Sequence, residues 1–380
     1  MANRIILNET SYHGAGAINE IVAEVKARGF KKGLIVTDKD LIKFNVATKV
    51  TDLLDEAGLA YEIFDGVEPN PTVEQVKAGV EAGKSAGADY IIAIGGGSPI
   101  DTAKGIGIIL TNPEFSDVLS LDGVADTKNP ALPILAVPTT SGTAAEVTIN
   151  YVITDKANDR KFVCVDPHDI PVAAFVDSDL MMGMPASLAA ATGMDALTHA
   201  IEGLITLGAW EMTDTFHIKA IELIAANLKA SVEGDASARE KLALGQYFAG
   251  MGFSNVGLGL AHGMAHPLSA RFNAPHGVAC AMLLPVIMEY NKNNTGEKYR
   301  HIAAAFGLDS TGDINEVRDA AVKAVRDLGD SVGIPSLDEL GVGEADLAAL
   351  SADALADVCT PGNPREASLD EINALYKSML

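Results

Sequence analysis

Residues 90–101 read Tyr-Ile-Ile-Ala-Ile-Gly-Gly-Gly-Ser-Pro-Ile-Asp, and this stretch decides the fold. Its first five residues form a short apolar run that predicts a buried strand. Three glycines then let the backbone approach a ligand closely, while Ser98, Pro99 and Asp101 predict a capped helix start with a Ser-x-x-Asp box. The amides at such a helix start favour a bound pyrophosphate, although an ordinary tight turn remains the alternative. Lys104 does not follow a glycine, so the loop is not a Walker A sequence.

Around this loop, the first half of the chain alternates strand and helix patterns, which is typical of βαβ units in a parallel sheet. From residue 185 onward, helical spacing dominates. The pattern predicts an α/β dinucleotide-binding domain, a variant Rossmann-like parallel sheet, over residues 1–182. An all-α metal and substrate domain is predicted over residues 183–380. The predicted strands cover residues 33–37, 61–64, 90–94, 133–137, 151–154, 162–165 and 173–176, and the predicted helices include 39–57, 71–86 and a buried helix over 247–261.

Composition limits the classes of partner. The 380 residues contain 28 basic and 51 acidic side chains, a formal net charge of −23 that repels nucleic-acid phosphates and anionic membrane surfaces. The N-terminus lacks the apolar run of a signal peptide. Cys164, Cys280 and Cys359 are far apart and outside any Cys-x-x-Cys, so we expect neither a disulfide framework nor a thiolate metal site. A reducing cytoplasm is the expected compartment.

Two further segments follow predicted strands and favour a dinucleotide. Asp38 comes after strand 33–37, where a carboxylate would accept hydrogen bonds from a ribose and repel a 2′-phosphate, so NAD is expected over NADP. The acid precedes the glycine loop, the reverse of the usual fingerprint, so an exposed turn aspartate is the alternative. Residues 138–146 are rich in hydroxyls that would hold a ribose or a nicotinamide amide, or would only begin a helix.

A second constellation lies in the helical half. Asp195 and His199 are four residues apart, as are His262 and His266, so each pair shares one helix face. His276 follows after a short loop. Imidazoles and a carboxylate suit divalent iron, zinc, manganese or cobalt. The glutamate of His-Glu-x-x-His is missing, so a metalloprotease would lack its general base.

The segments 95–98, 138–143, 193–200 and 262–267 resemble the iron-containing alcohol dehydrogenases, in this order and along essentially the whole chain. The resemblance implies a dehydroquinate-synthase-like fold, NAD(H), a divalent metal that is Fe²⁺ or, as purified, Zn²⁺, and a homodimer. The implied reaction interconverts a small aldehyde and its alcohol. Segments 150–155, 161–171 and 362–366 narrow the expected pair to lactaldehyde and propane-1,2-diol.

The same resemblance assigns roles to individual residues. The metal ligands would be Asp195, His199, His262 and His276, and His266 would be the catalytic, non-ligating histidine near the nicotinamide. The cofactor site would be lined by Asp38, Asn70, Gly96, Gly97, Ser98, Thr139, Thr140, Thr143, Val152 and Lys161. The substrate wall would be formed by Asn150, Phe253, Leu258 and Cys359, with Val152 beside them.

Three other functions stay open at this point. Another short-chain alcohol or polyol dehydrogenase of the same family would use the same residues. A dehydroquinate-synthase-like lyase would use the cofactor without net turnover. A metal- or nucleotide-binding protein without activity is the class-level alternative.

Overall fold

The computed structural model describes residues 2–158 and 160–380. Its chain divides into two compact units. One comprises Met1–Thr140 and Ala144–Gly183, and the other comprises Ser141–Thr143 and Met184–Leu380.

The first unit is built on a six-stranded parallel sheet, which confirms the predicted α/β class. The strand order is β1-β8-β5-β4-β2-β3. The strands of this sheet are β1 (Thr10–His13), β2 (Lys32–Val36), β3 (Ala60–Phe64), β4 (Tyr90–Gly95), β5 (Ile134–Pro138) and β8 (Ala173–Val176). Two further strands, β6 (Asn150–Asp155) and β7 (Arg160–Val165), form a separate antiparallel hairpin. The helices are α1 (Ile21–Arg28), α2 (Lys39–Lys43), α3 (Thr48–Glu56), α4 (Val73–Ala86) and α5 (Gly97–Thr111).

Both faces of the sheet are buried, because successive side chains of a strand point to opposite faces. On β4, Ile91 and Ala93 belong to the core cluster shared with α4 and α5, whereas Ile92 and Ile94 belong to the cluster shared with α1 and α3. Every residue of β4 is buried. The strand before the glycine loop is therefore fixed from both sides.

The predicted elements differ from the observed ones in three places. The helix expected over 39–57 is two helices, because Asn45 between them has φ 56°. The helix expected over 247–261 is also broken, since α8 ends at Val256 and Gly257 has φ 86°. Edge strand β1 was not predicted; its four residues are only partly buried and pair with β8.

In its described residues, the second unit is helical throughout. The helices are α6 (Ala186–Ile205), α7 (Glu211–Val232), α8 (Ala236–Val256), α9 (Leu260–Phe272), α10 (His276–Asn291), α11 (Lys298–Ala305), α12 (Ile314–Ser331), α13 (Leu347–Ala356) and α14 (Leu369–Lys377). Trp210, the chain's single tryptophan, caps the start of α7, where its backbone N–H donates to Thr213 Oγ1. None of the helices described here is long and apolar enough to cross a bilayer.

Candidate nucleotide and metal sites

The glycine loop and the threonine loop lie side by side in the first unit. Gly95 of β4 pairs with Pro138 of β5, and the Thr139 N–H donates to the Gly95 carbonyl over 2.9 Å. A Cβ on Gly96 would lie 3.3 Å from the Thr140 side chain, closer than most real contacts. Glycine at 96 therefore allows the two loops, which carry five of the predicted cofactor residues, to approach each other.

Helix α5 begins at Gly97 with Gly96 as its N-cap, and no side chain among the described residues caps it. The predicted Ser-x-x-Asp box is therefore wrong. Because the helix starts one residue earlier than expected, Ser98 lies within the first turn. The Asp101 carboxylate instead accepts from the Val152 N–H over 3.0 Å, and burial raises the pKa of Asp101 to about 6. A helix start without a side-chain cap suits an anion.

A buried lysine joins α5 to the start of strand β6. Lys104 Nζ donates to the Thr148 carbonyl and hydroxyl over 2.6 and 2.9 Å and to the Asn150 carbonyl over 2.8 Å. Asp169 Oδ1 lies 3.7 Å from the same nitrogen, and both side chains are fully buried. Burial lowers the pKa of Lys104 and raises the pKa of Asp169 well above its usual range. The sequence gave no signal for this partnership, since Lys104 and Asp169 are far apart in the chain.

The hairpin carries two further predicted cofactor residues. Val152 is held by Asp101 as described, and Lys161 Nζ donates to Asn70 Oδ1 over 2.7 Å. Asn70 has φ 57°, in the left-handed region that asparagine tolerates better than most residues. These contacts bring Asn70, Val152 and Lys161 to the region around α5.

Asp38 follows β2, which is the neighbour of β4 in the sheet. Its Oδ1 accepts from the Leu41 N–H over 2.8 Å, so Asp38 is the N-cap of α2. The chain turns outward in both directions from the pair β2 and β4, and ligands of open parallel sheets bind at the carboxyl ends of such a pair. Asp38 and the glycine loop both lie at these ends. Thr143 belongs to the second unit.

In the second unit, three helices bring the predicted metal ligands together. Asp195 is on α6, His262 is on α9 and His276 begins α10. The Asp195 Oδ1 atom lies 3.6 Å from His276 Nε2 and 4.0 Å from His262 Nε2. A Cβ on Gly277 would lie 2.9 Å from the Ala191 backbone of α6, so glycine at this position is what lets α10 approach α6.

The histidines fit a divalent cation. His262 Nδ1 is bonded to Glu202 Oε2 over 2.6 Å, while its Nε2 is buried and has no hydrogen-bond partner among the described residues. His199 Nδ1 is buried and unpartnered in the same way. Burial lowers the pKa of both histidines to about 3, so both rings are neutral at pH 7. A neutral imidazole fixed by a carboxylate on one nitrogen presents a lone pair on the other, as metal-binding histidines do.

The tightest cluster of ligand atoms differs from the predicted set. Ligand atoms of Asp195, His262, His276 and Cys280 all lie within 4.8 Å of one another. His199 lies beside this cluster, with Nδ1 3.9 Å from the other Asp195 oxygen, Oδ2, and its ring stacked on Phe253 at 4.3 Å. The expectation that no cysteine joins a metal cluster is therefore corrected. The four-residue spacing of His276 and Cys280 was the signal that could have found it.

The predicted catalytic histidine has a partner that the sequence did not indicate. His266 Nδ1 is bonded to Asp357 Oδ2 over 2.8 Å, and the His266 ring stacks on the His276 ring with centroids 5.4 Å apart. Cys359 donates its backbone N–H to Asp357 Oδ1 over 2.9 Å. Asp357 thus holds one ring nitrogen of His266 and orients the ring.

The predicted substrate wall is divided between the units. Phe253 stacks on His199, and Cys359 lies beside the His266–Asp357 pair. Leu258 is half-buried in the connection between α8 and α9, with its carbonyl accepting from Thr206 Oγ1 over 2.9 Å. Asn150 belongs to the first unit, where its carbonyl accepts from Lys104.

Comparison with known proteins gives consistent matches over the whole chain. Residues 8–178 match the family model for iron-containing alcohol dehydrogenase, and residues 189–380 match the model for the C-terminal part of that family. Lactaldehyde reductase of Escherichia coli strain K12 is 62% identical over 378 residues, which cover 99% of each chain. The 1,3-propanediol dehydrogenase of Citrobacter freundii is 41% identical, covering 98% of this chain and 97% of the relative.

Solved structures match equally completely. A crystal structure of 1,3-propanediol oxidoreductase has a TM-score of 0.97 at 40% identity, covering 100% of both chains. The alcohol dehydrogenase from Oenococcus oeni has a TM-score of 0.96 at 36% identity, again over 100% of both chains.

Proposed function

Because this chain belongs to the iron-containing alcohol dehydrogenase family, we propose that it reversibly interconverts lactaldehyde and propane-1,2-diol, using NAD(H) and a divalent metal. The observation that carries the proposal is the cluster of buried, neutral histidines around Asp195, together with the 62% identity to lactaldehyde reductase. The uncapped start of α5 supports the nucleotide half of the reaction.

The metal would be held by Asp195, His262 and His276, with His199 as the further ligand that family resemblance implies. A divalent cation supplies Lewis acidity there, so no strong protein base is required. His266 is our candidate proton relay, and Asp357 acts on it by holding Nδ1. Iron is the proposed working ion. Zinc binds more tightly in the Irving–Williams order, so purified protein is expected to carry some zinc.

The proposed cofactor is NAD(H) rather than NADP(H). Asp38 at the carboxyl end of β2 supports this preference, because its negative charge repels a 2′-phosphate. The remaining proposed cofactor residues are Asn70, Gly96, Gly97, Ser98, Thr139, Thr140, Thr143, Val152 and Lys161. Replacement of Asp38 by glycine is expected to raise activity with NADPH relative to NADH. A ratio of kcat/KM values that stays unchanged would contradict the role of Asp38.

The substrate is tested by NADH consumption with lactaldehyde, glycolaldehyde and butanal, using protein purified anaerobically and loaded separately with iron and zinc. Iron-dependent turnover that favours the two hydroxyaldehydes supports the proposal. Turnover that favours butanal would keep the dehydrogenase and move its substrate to simple alcohols. No turnover with either metal would revive the lyase and the non-enzymatic binder.

Asn150, Phe253, Leu258 and Cys359 are proposed as the substrate wall, and the bulk of Phe253 beside the metal cluster supports a limit on substrate size. Equal activity on propane-1,2-diol and on long-chain alcohols would contradict that limit. Another diol is the second candidate substrate, because the Citrobacter freundii relative is a 1,3-propanediol dehydrogenase.

We also propose a homodimer that works in the cytoplasm. The dimer rests on family resemblance, and light scattering on the eluting protein tests it. The cytoplasm is supported by three cysteines that are all free thiols.

A further inference from the structure

Cys280 lies among the proposed metal ligands. Its side chain is fully buried on α10, one helical turn after His276, and its Sγ lies 3.6 Å from His276 Nε2. The sulfur is also within 4.8 Å of the ligand atoms of Asp195 and His262. The same cavity therefore contains a soft donor beside the imidazoles and the carboxylate.

The separations match those of a shared ion. Bond lengths of about 2.0–2.3 Å and tetrahedral angles place the ligand atoms of a zinc site roughly 3.3–3.7 Å apart. The contacts of His276 Nε2 with Cys280 Sγ and with Asp195 Oδ1 are both 3.6 Å. The contact of His262 Nε2 with Asp195 Oδ1 is 4.0 Å. A small closing movement would bring all four atoms onto one cation.

An independent observation points to a ligand at the same place. His262 Nε2 is buried, faces Asp195 Oδ1 and has no hydrogen-bond partner among the described residues. A buried polar atom without a partner is costly, and a cation would satisfy it.

We propose that Cys280 is itself a metal ligand, bound as a thiolate alongside Asp195, His262 and His276. This inference rests on the proposed use of the site as a metal centre. The thiol releases its proton to solvent when the sulfur–metal bond forms. His199 approaches the opposite oxygen of Asp195, so sulfur and His199 do not compete for one position. A thiolate favours zinc and cobalt over iron and manganese, so Cys280 shifts the metal preference of this chain toward softer ions.

The first test is the absorption spectrum of the full-length protein loaded with Co²⁺. A thiolate bound to Co²⁺ gives an intense charge-transfer band in the near ultraviolet, whereas nitrogen and oxygen ligands give only weak visible bands. We expect the band in the wild type and its loss in Cys280→Ser, with the visible bands retained. Cys164→Ser is the matched control, because Cys164 is a buried cysteine in the other unit, and it should keep the band.

The second test needs no variant and therefore does not depend on how Cys280→Ser folds. X-ray absorption of the zinc-loaded wild type should show one sulfur at about 2.3 Å beside lighter ligands at about 2.0–2.2 Å. We also expect Cys280→Ser to weaken zinc binding by roughly 10–100-fold or more, measured by competition with a chelator.

A Co²⁺ protein with visible bands and no charge-transfer band would overturn the role of Cys280 while leaving the metal centre intact, as would a zinc spectrum without sulfur. A protein that binds neither ion would overturn the metal centre as well.

Discussion

At the scale of single residues, Glu202 decides what His262 can do. Its Oε1 accepts from the Ala261 N–H and its Oε2 from His262 Nδ1, each over 2.6 Å. The ring is thereby fixed with Nε2 toward Asp195. The sequence predicted His262 as a ligand from its spacing. It did not predict Glu202, because a glutamate sixty positions earlier in the chain shows no pattern that links it to His262.

Replacement of His262 by alanine should abolish turnover and metal retention, because it removes a ligand and leaves Glu202 buried without its partner. NADH binding should remain largely intact, since the nucleotide residues lie elsewhere in the chain. Metal content by mass spectrometry and NADH fluorescence titration measure the two effects. His301→Ala, which changes an exposed histidine on α11, is the control. A metal-replete, active His262→Ala protein would defeat the assignment.

His217 should make the metal-free protein sensitive to acid. Its ring is fully buried, neither nitrogen has a hydrogen-bond partner among the described residues, and burial lowers its pKa from 6.5 to about 3. Between those pH values only the unfolded chain binds the proton. Stability is therefore complete above pH 6.5 and falls as the pH decreases toward 3, by at most about 1.4 kcal/mol per pH unit from this group.

Guanidinium unfolding at pH 7 and pH 5.5 measures that slope. His199 and His262 also have pKa values near 3, so the wild-type slope contains their contributions. His217→Phe should reduce the slope without removing it. Equal slopes for the two proteins would show that His217 does not contribute.

At the scale of elements, sequence periodicity located most strands of the sheet to within a residue or two, because buried parallel strands are short apolar runs. It failed where backbone conformation overrides the pattern. Asn45 and Gly257 adopt positive φ values and break two predicted helices. The Ser-x-x-Asp box failed for another reason: Asp101 is bonded to Val152 on a strand that is distant in sequence.

The joint between α5 and the start of β6 depends on Lys104. Lys104→Met should cost about 3–5 kcal/mol, because Asp169 then stays buried without a cation. NADH affinity should fall as well, since the glycine loop begins the same helix. Unfolding by guanidinium and fluorescence titration measure these changes.

The matched control for this prediction is Lys49→Met, an exposed lysine in the same unit. Adding Asp169→Asn to Lys104→Met should recover part of the lost stability, because it removes the unpaired charge. No recovery would show that the loss does not come from the buried carboxylate.

At the scale of the whole molecule, the two proposed ligand sites belong to different units. The sequence predicted this separation from the change in periodicity near residue 185. It could not predict contacts such as that between His266 and Asp357, which are 91 residues apart. Such contacts depend on helix packing, for which one sequence carries no local signal.

Metal and nucleotide should therefore protect different helices. Hydrogen exchange followed by mass spectrometry should show slower exchange in α6, α9 and α10 when metal is added, because bound ligand suppresses local opening. NADH should slow exchange in the first turns of α5 and in the β6–β7 hairpin. Metal that protects only α5 and the hairpin would contradict the assignment of the ligands.

The position of Trp210 gives this protein a built-in reporter. Because the single tryptophan caps α7 in the helical unit, emission excited at the red edge of its absorption follows that unit alone. Circular dichroism follows helices of both units. Superimposable melting curves from the two signals would mean that the units unfold together, whereas a fluorescence curve displaced by metal loading would reveal a separate step.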